Sequence, residues 1–97
     1  MYAIYLLKKS DRVIVDNLLS DDLLGRQTIT QKDGSNFSVG DENLIILYEG
    51  SEEGNAKIKQ LFSEKMKALD SKASKEIYDK IKEEDARAEG GLGFLFG

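Results

Sequence analysis

An unbroken apolar run of strand length, Leu44-Ile45-Ile46-Leu47-Tyr48, meets Glu49-Gly50-Ser51 and gives way to a helical pattern, so two hydrophobic periods join across a short turn. Apolar side chains on both parities predict a strand covered on both faces, with the helix that follows covering one of them. Ser51 is a natural N-cap, and Glu52 and Glu53 complement the positive end of that helix, although Gly54 and Asn55 weaken its first turn. Ala56, Ile58, Leu61, Phe62, Met66 and Leu69 then recur at steps of three and four, the spacing of one buried helix face.

The segments before this unit read as short strands. Tyr2 to Leu7 is rich in aromatic and branched side chains and is expected to be a central strand. After the polar turn Lys8-Lys9-Ser10-Asp11, Arg12 to Asp16 alternates as a second, antiparallel strand. Leu18 to Gly25 reads as an irregular connection, and Arg26 to Thr30 as a strand near an edge. Asp33-Gly34 supplies a turn back into a short strand at Phe37 to Val39, and Gly40 to Asn43 turns into the Leu44 strand.

Beyond Leu69, Asp70 to Ser74 is rich in capping residues and marks a break. A second helix to about Glu89 follows, with a thin apolar stripe of Ala73, Ile77 and Ile81 beside Tyr78. Gly90-Gly91 stops it before the apolar end Leu92-Gly93-Phe94-Leu95-Phe96-Gly97. The reading is an α+β fold: a single mostly antiparallel sheet of about five short strands, then two C-terminal helices and an apolar Gly/Phe tail. One domain spans 1–89, and 90–97 is the tail. A split βαβ unit would need a helix between the first two strands, which the Lys8 to Asp11 turn does not provide; a small partly open barrel with a helical extension is the other architecture compatible with the pattern.

Composition bounds the chemistry. The 97 residues contain no Cys and no His, which removes disulfides, thiolate and imidazole metal ligands, and the usual general base near neutral pH. The formal charge of -4 opposes a nucleic-acid backbone as principal partner unless basic residues segregate onto one face. The longest apolar run is far too short for a membrane span and the N-terminus lacks a signal-peptide layout, so a cytoplasmic chain without membrane contact is expected.

No motif assigns a reaction. Gly50-Ser51-Glu52-Glu53-Gly54 lacks the phosphate-loop lysine and carries two carboxylates that repel an anion, so it reads as a cap. Asp21, Asp22, Asp41 and Glu42 sit in acidic loops without the spacing of a calcium loop. No catalytic residue, metal site or cofactor is therefore expected. What the pattern leaves is a non-catalytic protein-interaction or regulatory module that uses its last helix and tail, with Ile77, Tyr78, Ile81, Leu92, Phe94, Leu95 and Phe96 meeting another protein or a second copy in a homodimer. The alternative is a small-ligand binder or enzyme that gathers the loop carboxylates with Lys or Tyr.

Overall fold

A computed structural model of the chain describes residues 1–86 in full. Strand β1 (Tyr2–Lys8) leads through a 3-10 turn at Lys9–Asp11 into helix α1 (Val13–Ser20). A second 3-10 turn (Leu24–Arg26) precedes β2 (Thr28–Asp33), and a third (Gly34–Phe37) lies between β2 and β3 (Asn43–Glu49). Helix α2 (Glu52–Phe62), the two-residue β4 (Lys67–Ala68) and α3 (Ser71–Phe96) complete the order. The four strands form one antiparallel sheet in the order β2-β3-β1-β4. Up to β4 this is the β-α-β-β-α-β order of a split βαβ fold, with α3 added to it.

The sheet separates two cores. Tyr5, Leu7, Leu44, Ile46 and Tyr48 point to the face covered by α1, through Ile14, Val15 and Leu18, and by α2, through Ile58. Ile4, Ile45 and Leu47 point to the opposite face and meet Ile77 and Ile81 of α3 together with Phe37. Every residue of the Leu44–Tyr48 run is buried, as a strand covered on both faces requires. Ser51 caps α2 by accepting from the Gly54 N–H at 3.1 Å, and Asp70 accepts from the Ala73 N–H at 2.8 Å at the start of α3.

The α+β class and the single antiparallel sheet agree with the sequence reading, whereas the strand inventory needs correction. Arg12 to Asp16 is not a strand. Ile14, Val15 and Leu18 are buried at steps of one, three and four, and packing of that helical face outweighs the modest β preference of Val and Ile. That helix lies between β1 and β2, so the split βαβ arrangement excluded above is the one observed.

Phe37 to Val39 is likewise not a strand. Asp33 caps the 3-10 turn by accepting from the Ser35 N–H, and the positive φ needed to re-enter the sheet falls on Ser38 (60°) and Gly40 (102°) rather than on Gly34. Gly34 is required for a different reason: a Cβ there would collide with the Asn43 carbonyl oxygen. The strand near the edge runs three residues further than expected, and helix α2 ends at Phe62, which frees Lys67–Ala68 to pair with Leu6 and Tyr5. The sheet therefore has four strands rather than five. The expected helix end near Glu89 and the tail 90–97 lie outside the described residues.

Candidate functional site

The two outer strands leave two kinds of exposed edge, and the register fixes which backbone groups each presents. Gly50 N–H donates to Met1 O at 3.0 Å and Lys9 N–H to Glu42 O at 2.8 Å, while Leu69 N–H donates to Ile4 O at 3.0 Å on the other side of β1. Odd-numbered residues of β1 thus bond to β3 and even-numbered ones face β4. Carried through the β1–β3 and β3–β2 pairings, this alternation bonds Thr28, Thr30 and Lys32 to Glu49, Leu47 and Ile45. The N–H and C=O groups of Ile29, Gln31 and Asp33 therefore point away from the sheet along the outer edge of β2.

Charges that would blunt such an edge sit only at its C-terminal end, and other elements hold them. Lys32 reaches Asp85 of α3 at 3.8 Å, and Asp33 is bound by Lys9 at 3.1 Å. The Asp33 carboxyl also accepts from the Ser35 N–H and hydroxyl, and these bonds with Lys9 hold it at about 2, below the usual 3.8. Thr28 to Gln31 remains an uncharged, half-exposed stretch of β-branched and amide side chains whose outer backbone edge is unpaired among the described residues.

At the opposite edge of the sheet, β4 pairs with Tyr5 and Leu6 of β1, Leu69 just beyond it bonds Ile4, and a cleft opens past each end of this short pairing. One, of about 280 Å³, is lined by Tyr2, Tyr5, Asn55, Lys59, Ser71 and Ser74 among others. Within it the Tyr5 hydroxyl donates to Asn55 Oδ1, and burial, with the neighbouring Tyr48, pushes the Tyr5 hydroxyl above its ordinary pKa. The other, of about 300 Å³, is lined by Leu6, Lys8, Asn43, Glu64, Lys65 and Lys67.

The residues expected to meet a partner are placed as follows. Ile77 and Ile81 are buried against β1 and β3 of their own chain. Tyr78 is half-buried, stacked on Tyr2 with ring centroids 3.9 Å apart, and Lys82 approaches its ring at 5.3 Å while bonding to Glu49 at 3.1 Å. Leu92, Phe94, Leu95 and Phe96 lie outside the described residues.

The acidic loops do not come together. Asp21 accepts from the N–H groups of Leu23 and Leu24 and pairs with Lys57 at 2.7 Å, interactions that lower its pKa, with the Lys57 hydrogen bond the largest. The loop it opens reaches Ser51 through Gln27, at the end of the sheet where Met1 meets Gly50. Asp41 and Glu42 stand at the other end, beside Lys9, about 20 Å away along seven residues of β1 at ~3.3 Å each. Among the described residues no group of three or more acidic side chains is placed to hold a metal ion, and no helix is long and apolar enough to cross a membrane. No protein-family model, curated protein or solved structure matches this chain.

The β2 edge was half legible in the sequence, since Thr28-Ile29-Thr30 marks an outer strand. The clefts beside β4 were not, because they follow from a strand of two residues that Met66 and Leu69 disguise as the end of a helix.

Proposed function

We propose that this chain is a non-catalytic protein-interaction module that binds by strand addition, taking an extended segment of another protein or of a second copy along the outer edge of β2. The observation that supports this reading is the uncharged open edge from Thr28 to Gln31, whose outward N–H and C=O groups of Ile29 and Gln31 are those an added strand would bond. The apolar stripe of α3 holds its own sheet through Ile77 and Ile81, which leaves the edge rather than that stripe as the contact.

A pair of proline variants tests it. Gln31→Pro removes an N–H that points away from the sheet, so the fold is expected to lose less than about 1 kcal/mol while association is lost. Thr30→Pro removes an N–H bonded to Leu47 and is expected to destabilise by roughly 3 kcal/mol. Sedimentation equilibrium reads self-association, and capture of partners by wild type against Gln31→Pro reads binding in trans. If Gln31→Pro keeps every association of the wild type, the β2 edge is not the contact.

A further inference from the structure

The lysines of this chain fall into two groups that the fold keeps apart. Lys9, Lys32, Lys57, Lys75 and Lys82 each hold a carboxylate, and Lys80 holds the Asn36 carbonyl and sits 4.9 Å from the Phe37 ring centroid. Lys8, Lys59, Lys65, Lys67 and Lys72 are exposed and hold no carboxylate among the described residues. Four of these five, all but Lys72, line the two clefts that flank β4.

We infer that this β4 side of the sheet is a second docking surface, and that it takes an acidic, extended segment of a partner protein. Charge complementarity selects this occupant. The chain as a whole carries -4, yet the residues lining the two clefts include these four lysines and one carboxylate, Glu64. The acids that would neutralise such a row elsewhere are engaged: Asp21 with Lys57, Asp79 with Lys75, Glu49 with Lys82. Cations left without partners in an otherwise acidic protein set a local potential opposite to that of the rest of the surface.

Geometry limits the shape of the occupant. The clefts lie at the two ends of the edge of β1 that β4 leaves uncovered, so about six extended residues at ~3.3 Å each span both. Each cleft, at about 280 and 300 Å³, admits a side chain or two rather than a folded element. Leu6, Ile4, Ala68 and Leu69 give each cleft apolar wall, which suits a segment alternating Asp or Glu with aliphatic residues. A nucleic acid is the less favoured polyanion, because Tyr2 is stacked on Tyr78 and so is not free to stack a base.

The surface is distinct from the β2 edge, and its test separates the two. The probe is a fluorescein-labelled peptide of alternating Glu and Val, read by fluorescence anisotropy with the full-length protein, beside the same peptide with Gln for Glu and a single-stranded RNA of similar charge. The Glu peptide is expected to bind saturably and to weaken as salt rises. Lys59→Gln, Lys65→Gln and Lys67→Gln should each weaken it by about two- to fivefold. Lys75→Gln and Lys82→Gln, whose lysines are already paired, should leave it unchanged, as should Gln31→Pro on the β2 edge. Equal binding of the Gln peptide, equal losses from the paired lysines, or no saturable binding below about 1 mM would overturn the proposal. Tighter binding of the RNA would replace the acidic segment by a nucleic acid at the same clefts.

Discussion

Truncating Ile81 to alanine tests whether α3 is part of the fold or an appendage to it. Ile81 is fully buried (0%) between α3 and the sheet face formed by Ile4, Ile45 and Leu47. Removing its outer carbons loses the transfer free energy of those atoms and leaves a cavity that a sheet paired on both sides of β1 and β3 cannot readily close. Such changes cost about 2 to 5 kcal/mol. A domain of this length has roughly 5 to 15 kcal/mol of stability in total, so the variant should stay folded at room temperature but with a large share of its margin gone. At about 4 to 8 °C per kcal/mol, the thermal midpoint should fall by roughly 8 to 40 °C. Urea unfolding followed by circular dichroism gives the difference directly, and an unchanged slope confirms that α3 unfolds with the sheet. Val13→Ala, at a position 63% exposed on α1, is the control and should stay within about 0.5 kcal/mol. A loss from Ile81→Ala below about 1 kcal/mol would refute the argument, because the core of Ile4, Ile45 and Leu47 would then not depend on α3.

Gly54→Ala should destabilise, although alanine ordinarily favours a helix by about 0.5 to 1 kcal/mol over glycine. The new Cβ would collide with the Tyr48 hydroxyl, which donates to Ser51 O at 2.8 Å, and a net loss of roughly 1 to 3 kcal/mol in urea unfolding is expected. Adding Tyr48→Phe should recover much of it; no recovery would mean that the clash is elsewhere. For Asp33 the folded carboxyl lies at about 2 against the usual 3.8, so its contribution is complete above 3.8 and disappears as pH falls toward 2. The stability difference between wild type and Asp33→Asn should therefore shrink across that acid window, and a difference that grows there would contradict the assignment. A chain ending at Glu89 retains Ile77 and Ile81 and should lose less in its thermal midpoint than Ile81→Ala does; a larger loss would place the apolar tail in the core.

The elements legible in the sequence are those whose pattern belongs to one period only. The Leu44–Tyr48 run, with its Ser51 cap and the Ile58 face of α2, could be read because nothing but a doubly covered strand feeding a capped helix fits it. Val13-Ile14-Val15 could not. Three β-branched residues match a strand locally, and only Leu18, assigned to a connection, reveals the helical step. That single misreading removed the crossover helix and with it the correct topology. The pairing of Lys67–Ala68 carries no local signal, since it depends on β1 far back in the chain. The β2 edge could be anticipated from Thr28-Ile29-Thr30, but the segregation of paired from unpaired lysines required the fold, because Lys57 and Lys59 are near neighbours in sequence and belong to different groups.

That α3 follows β4 in the chain has a consequence for how the protein is made. The sheet can assemble once β4 has left the ribosome, yet one of its faces then lacks its cover, and Ile4, Ile45 and Leu47 stand in water. At about 5 to 20 residues per second, the stretch that carries Ile77 and Ile81 follows β4 after roughly one to three seconds. During that interval the nascent chain is a half-covered sheet with two open edges, the species most exposed to capture by a chaperone or by another unfinished chain.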